Sequence, residues 1–223
     1  MERIICLVIG YAFGLFQTAY IYGKLHGIDI RNYGSGNAGT TNTLRVLGTK
    51  AGILVLFGDI AKCILAIVVT SLLFGKTHSD MIYLLRIYAA AGAILGHNFP
   101  YYLHFKGGKG IAATAGMILA FHPYFIPVAV VLFFGIFFTT HYVSLGSLIL
   151  YAGFFIEMVV LGQTGFFGMT QLQLIELYAV TAVLTVMAYY KHRENIKRLV
   201  SGTERKTYLS HKNKESAEGG ENG

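Results

Sequence analysis

Seven apolar stretches, about 4–22, 51–74, 81–97, 111–122, 124–139, 143–161 and 172–190, take up most of a 223-residue chain and restrict its fold more than any other feature. A helix rises 1.5 Å per residue, so roughly twenty apolar residues cross a ~30 Å hydrocarbon core. In lipid every backbone polar group has to be satisfied within the structure, which separate segments of this length achieve as helices. Charged residues are correspondingly scarce, 13% of the chain, against about 25% in soluble domains. The predicted fold is an all-α, polytopic integral membrane bundle of about seven transmembrane helices. The fourth and fifth stretches are short and meet at His122-Pro123, with Pro127 close behind. Residues 111–139 therefore form either two short spans or one interrupted span. Ile4–Tyr22 lacks an A-x-A-like cleavage site and is read as a retained span rather than a signal peptide.

With seven spans, loops 23–50 and 98–110 and the region from Lys191 share one side, and that side holds 14 of the 18 Lys and Arg. By the positive-inside rule it is cytoplasmic, with the N-terminus outside and the C-terminus in the cytoplasm. The formal charge of +7 is thus an orientation signal, and no nucleic-acid partner is expected. Residues 1–200 read as one membrane-embedded domain, and 201–223 as a polar, disordered cytoplasmic tail. Cys6 and Cys63 fall inside apolar segments and read as small buried hydrophobes. Asp59 and Lys62, spaced i, i+3, neutralise each other on one helix face, either as a structural pair or as a wall of a site. Arg86, Glu157 and Glu176 lie near outer segment ends, where snorkelling accounts for them.

Three polar stretches fall on the cytoplasmic side. In GSGNAGTTNTLR, Gly34, Gly36 and Gly39 allow close backbone approach. Ser35, Asn37, Thr40, Thr41 and Asn42 add hydrogen-bonding groups, and Arg45 adds a permanent forked cation. Successive N–H groups in such a loop make a concave anion site. In GHNFPYYLHFKGGKG, Gly107, Gly108 and Gly110, bracketed by Lys106 and Lys109, run into the fourth apolar segment, a place where phosphate binds at a helix N-terminus. It is no Walker A loop, since Leu103 stands where the first Gly should be. In KHRENIKRLVSGTE, a helix puts His192 and Asn195 on one face. Each stretch has a plainer alternative: an interfacial loop, a lysine-anchored turn, a basic helix on acidic lipid. His97 alone reads more readily as structural than as catalytic. Together the three suggest a cytoplasm-facing site for phosphorylated material beside a bilayer that solvates fatty chains. No metal-ligand cluster and no G-x-S-x-G nucleophile elbow is present.

In this order, between membrane segments, the three stretches resemble the signature motifs of the acyl-phosphate-dependent glycerol-3-phosphate acyltransferases of bacteria (the PlsY family), over about Arg31 to Glu204. The resemblance implies a multi-pass inner-membrane enzyme that moves an acyl group from acyl phosphate to the 1-position of glycerol 3-phosphate. Its products are 1-acylglycerol 3-phosphate and phosphate, in phospholipid synthesis, with no cofactor and no metal. It also implies membrane lipids as surroundings and a separate peripheral enzyme that makes acyl phosphate. Carried over residue by residue, Ser35, Arg45, His192 and Asn195 are catalytic. Lys106 with its glycines binds the acceptor's phosphate, Ser144 in YVSLGS faces the acceptor, His97 joins the substrate-binding set, and Glu194 or Glu204 is structural. The chain departs from the pattern at Thr40 (alanine is usual), Ala113 (often threonine) and His141 (commonly arginine). A His-x-x-x-x-Asp acyltransferase is excluded, because none of the eight His has Asp five residues later. A permease for a phosphorylated anion would place polar groups near the midplane, often within repeated halves, and neither is present.

Overall fold

The computed structural model describes residues 1–208, and the regular structure within them is helical. In chain order the helices are α1 (Glu2–Gly14), α2 (Thr18–Leu25), α3 (Thr40–Leu47), α4 (Thr49–Phe74), α5 (Ile82–Asn98), α6 (Ile111–Phe121), α7 (Phe125–Thr140), α8 (Val143–Gln163), α9 (Gln171–Lys191) and α10 (Arg193–Val200). Five segments are long and apolar enough to span: α1 with α2, α4, α5 with its flanks, α8 and α9. For 111–139, where the sequence left two short spans or one interrupted span, the structure has α6 and α7, whose 11 and 16 residues reach only ~16 and ~24 Å. They are two separate helices, parted by His122, Pro123 and Tyr124.

α5 is the centre of the bundle, and its closest partner is α1. The reason is written in small residues. A side chain at Gly10 or Gly14 of α1 would collide with the Ala89 or Ala93 carbonyl of α5. One at Gly92 or Gly96 would collide with the Leu7 or Tyr11 carbonyl of α1. Removing four Cβ atoms from the seam brings the backbones together, which is how helices associate where lipid removes the hydrophobic drive.

The first apolar stretch is not one continuous helix but breaks after Gly14, and the freed carbonyls find donors. Gln17 Nε2 donates to Gly14, Gly96 and His97 carbonyls at 3.0, 3.0 and 3.2 Å, and Lys62 Nζ donates to the Phe16 carbonyl at 2.9 Å. Irregular backbone at membrane depth persists because it is buried in protein and satisfied there.

Charges at the opposite end are more specific than snorkelling. Glu176 on α9 pairs with Arg3 Nε at 2.5 Å and Nη2 at 2.8 Å, and accepts from Tyr88 of α5 at 2.8 Å. Arg86 donates to Ser71 Oγ at 3.0 Å and to the Phe121 carbonyl at 3.1 Å, closing the end of α6.

The polar tail does not begin at residue 201. The Thr203 N–H donates to the Arg198 carbonyl at 2.8 Å, and the Thr207 N–H to the His141 carbonyl at 2.9 Å. Arg45 Nη2 donates to Thr207 Oγ1 at 2.6 Å, and Tyr208 packs on His141. These bonds make 203–208 a strap from α10 to the α7–α8 turn and α3. The remainder of the expected tail, 209–223, lies outside the described residues.

Candidate active site

One cavity of about 820 Å³ opens among α3, α4, α6, α7, α8, α10 and the strap, within the range usual for a small-ligand site. It has two chemically distinct parts. The polar end carries six Lys and Arg side chains (Arg45, Lys109, Lys191, Arg193, Arg198, Arg205) against three carboxylates (Asp59, Glu194, Glu204). The other part is an apolar arm between α4, α6 and α7, lined by Ile60, Ala115, Leu119, Ala129, Val130 and Phe134 among others. Leu119, Val130 and Phe134 of the arm are exposed, so the surrounding helices leave the arm open.

The first glycine loop folds around the buried side chain of Asn42. Asn42 Oδ1 accepts the Ser35 N–H at 2.8 Å, and Nδ2 donates to the Ile30 and Tyr33 carbonyls at 3.1 and 3.0 Å. Gly34 and Gly36 turn at φ 61° and 72°, where a Cβ is unfavourable. Of the expected nest of loop N–H groups, those of Ser35, Gly36 and Gly39 donate within the loop, while those of Gly34, Asn37 and Ala38 have no protein acceptor among the described residues. Further free donors come from the first turn of α3, Thr40 to Asn42, which start after Gly39 and lie on the cavity wall. Asn42 thus serves the loop itself rather than binding substrate through its amide. The Ser35 hydroxyl lines the cavity and has no protein partner among the described residues.

The second glycine stretch behaves differently from expectation. The Gly107 N–H donates to the Asn98 carbonyl at 3.2 Å and the Gly108 N–H to the His97 carbonyl at 3.1 Å. A side chain at Gly107 would meet the His97 carbonyl, and one at Gly108 the His97 ring. Their glycine identity comes from this close approach, and neither lines the cavity. Lys106 is exposed outside it, while Lys109 points in. Gly110, at φ 84°, starts α6, whose first-turn N–H groups form a second helix N-terminus at the polar end.

Between these two helix starts lies a network centred on Glu204. Its Oε1 accepts from Ser144 Oγ at 2.8 Å and Asn195 Nδ2 at 2.6 Å, and its Oε2 accepts from Arg198 Nε at 2.7 Å. Burial works to raise this carboxyl, but the donors from Asn195, Ser144 and Arg198 outweigh it and hold it below the usual range. Asn195 Oδ1 in turn accepts from Lys109 Nζ. Ser144 is therefore turned to Glu204 rather than to an open acceptor site. Burial brings Lys109 down to about 8, with Glu204 opposing the shift. Burial, with Lys109 adding to it, brings His192 down to about 4, so its ring is neutral at neutral pH. Its Nδ1–H donates to the Ala188 carbonyl at 2.8 Å, which leaves Nε2 as an acceptor.

Of the residues expected at the site, Gly34, Ser35, Gly36, Asn37, Gly39, Thr41, Asn42, Arg45, His97, Lys109, Gly110, Ser144, His192 and Asn195 line this cavity, and Lys106, Gly107 and Gly108 do not. Thr40, named with the hydrogen-bonding residues of the first stretch, lines it too, while sequence reasoning did not pick out Lys191, Arg198 or Arg205, which also line it. It gave Glu204 only a structural role. The available signal was an acid at 204, closing the basic third stretch.

A family model described as glycerol-3-phosphate acyltransferase matches residues 4–202. The chain is 40% identical over 207 residues to the glycerol-3-phosphate acyltransferase of Macrococcus caseolyticus (strain JCSC5402), covering 92% of this chain and 97% of that one. It is 38% identical over 207 residues to the enzyme of the same description from Thermoanaerobacter sp. (strain X514), covering 92% and 96%. Two crystal structures of PlsY (YgiH), an integral membrane glycerol 3-phosphate acyltransferase, are similar throughout. The glycerol 3-phosphate form has a TM-score of 0.78 at 30% identity, covering 93% of this chain and 96% of that one. The lysophosphatidic acid form has a TM-score of 0.75 at 29% identity, covering 94% and 97%.

Proposed function

The chain belongs to the glycerol-3-phosphate acyltransferase family, multi-pass integral membrane enzymes that form lysophosphatidic acid, and we propose that it takes its acyl group from acyl phosphate. The observation that carries this reading is one cavity in which two helix N-termini and a cluster of cations adjoin an open apolar arm. Acyl phosphate has that shape: a dianionic head on a fatty chain. The start of α3 and the Ser35 hydroxyl hold the donor's phosphate, and the acyl chain lies in the arm. Lys109, Arg45 and the start of α6 hold the phosphate of glycerol 3-phosphate. A separate enzyme at the membrane surface supplies the acyl phosphate.

The chemistry then needs no covalent intermediate. The 1-hydroxyl oxygen of the acceptor attacks the carbonyl carbon, the carbon–oxygen bond to phosphate breaks, and phosphate leaves with the electron pair. Fixed donors stabilise the oxyanion that forms between these events, and holding two reactants in one cavity removes much of the entropic barrier. His192 Nε2 accepts from the attacking hydroxyl and orients it. With a pKa of about 4, this imidazole is a poor final resting place for the proton. A phosphate oxygen, whose second ionisation lies near 6 in phosphate monoesters, takes it instead.

Purified protein in detergent, with a chelator present, is expected to convert acyl phosphate and glycerol 3-phosphate to 1-acylglycerol 3-phosphate and phosphate in equal amounts. Little or no turnover is expected with acyl-CoA. Robust acyl-CoA turnover would overturn the donor assignment.

The polar end of the cavity faces the cytoplasm of a bacterial inner membrane in this reading, supported by the bias of 14 of 18 cations to that side. Asn32, Lys106 and Arg193 are exposed there and Lys76 is exposed at the other end. Single cysteines at the first three, in a background without Cys6 and Cys63, should react with impermeant reagent only in inverted vesicles, and one at Lys76 only from outside. Labelling of Arg193→Cys from outside intact cells would reverse the orientation.

A further inference from the structure

Asp59 and Lys62 are 1% and 3% exposed, and the transfer reaction as described makes no use of them. The Lys62 ammonium has three protons and three acceptors around it: Asp59 Oδ1 at 2.8 Å, the Phe16 carbonyl at 2.9 Å and His97 Nδ1 at 2.7 Å. An ammonium has no lone pair, so a proton on His97 Nδ1 would point into another N–H. Asp59 offers no alternative acceptor for that proton, because its Oδ1 lies 3.6 Å from Nδ1, beyond hydrogen-bond length. The same oxygen is already engaged by Thr18 Oγ1 at 3.1 Å. His97 is thereby held as a neutral imidazole with its proton on Nε2.

That nitrogen lies where the two glycine stretches meet. A side chain on Gly108 would run into it, and the same point is 2.8 Å from the Ala38 carbonyl of the first loop. His97 lines the cavity, and among the described residues its Nε2 has no hydrogen-bond partner. The other tautomer would turn a lone pair toward the anion site and repel a phosphoryl oxygen; this one turns a donor toward it.

We propose that the Asp59–Lys62 pair is a tautomer lock, and that through it His97 Nε2–H donates to a phosphoryl oxygen of the acyl donor beside the start of α3. Lys62 and Asp59 are positioning residues, and His97 touches substrate. The proposal rests on the acyl-phosphate reading above, and its test separates the two.

Nitrogen NMR of protein labelled at histidine, with the His97 signals identified by their loss in H97Q, reads the lock without any substrate. Nδ1 is expected unprotonated and Nε2 protonated. A proton on Nδ1 overturns the proposal whatever the donor proves to be. Kinetics read the role in the site. Glutamine places an N–H near the position of Nε2, and asparagine places one near Nδ1, so H97Q is expected to keep at least about tenfold more kcat/KM for acyl phosphate than H97N. Asp59→Asn with Lys62→Met removes both charges and leaves neither unpaired. It is expected to cost about tenfold in kcat/KM for acyl phosphate beside His97, but less than about twofold in the H97Q background, since glutamine has no tautomer to lose. Equal losses in the two backgrounds would make the pair a mere support of the fold and overturn the proposal. Failure of the wild-type protein to use acyl phosphate would end the donor reading, while the NMR result would still decide the lock.

Discussion

Lys109→Met is expected to lower kcat/KM for glycerol 3-phosphate by about a hundredfold or more, while Lys106→Met stays within about twofold of wild type. The two lysines flank the same pair of glycines, carry the same charge and differ by three positions. What separates them is the turn between. Gly107 and Gly108 are tied by their N–H groups to the Asn98 and His97 carbonyls, and the chain can lie that close only without Cβ atoms. This fastening leaves Lys106 exposed outside the cavity and aims Lys109 inward at Asn195. A charge-assisted hydrogen bond to a dianion is worth about 1.5–3 kcal/mol, and more when its loss leaves the anion poorly paired. Methionine also leaves Asn195 Oδ1 without the donor that faces it. Substrate titrations with both variants, folded by size-exclusion in detergent, check this. Equal and mild effects of the two substitutions would mean that both lysines merely anchor the loop to headgroups.

Ser35→Ala is expected to lower kcat about a hundredfold while the KM for glycerol 3-phosphate stays within about threefold. The Ser35 backbone N–H is already given to Asn42, so the hydroxyl is the one donor this residue has left for substrate. It stands beside the first turn of α3, where the proposed reading puts the leaving phosphate, which gains charge as the bond breaks. A donor that strengthens as charge develops acts on the transition state more than on binding, and its loss appears in kcat. Steady-state kinetics with both substrates varied would measure the split. Normal kcat with a poor KM for the acceptor alone would place Ser35 at the other phosphate.

The comparison of residues and structure shows what kind of information a sequence carries. The membrane class and the polar stretches were legible, because twenty-residue apolar runs and clusters of glycine with hydrogen-bonding residues are local patterns. Which of two like residues faces a cavity was not, because it depends on partners far away in sequence. Lys106 and Lys109 are sorted by His97 and Asn98, and Asn42 is claimed by the carbonyls of Ile30 and Tyr33. The break after Gly14 has no proline to announce it; Gln17 and Lys62 hold it open from the side. The strap was read as tail because its composition is polar. Its order comes from Glu204, whose three donors sit on α8 and α10, and from Thr207, held by His141 and Arg45. Even the Asp59–Lys62 spacing, obvious as an ion pair, hides the third partner, His97, contributed by another helix.

Direct transfer between two substrates held in one cavity is the centre of this account, and isotope exchange tests it most directly. Purified protein is incubated with acyl phosphate and radiolabelled inorganic phosphate in the absence of glycerol 3-phosphate, and the label in acyl phosphate is followed against an enzyme-free control. Direct attack by the acceptor hydroxyl requires that no label enter above that control, because the acyl–phosphate bond stays intact until the acceptor arrives. Label entering acyl phosphate at a rate comparable to turnover would reveal an acyl-enzyme and contradict it.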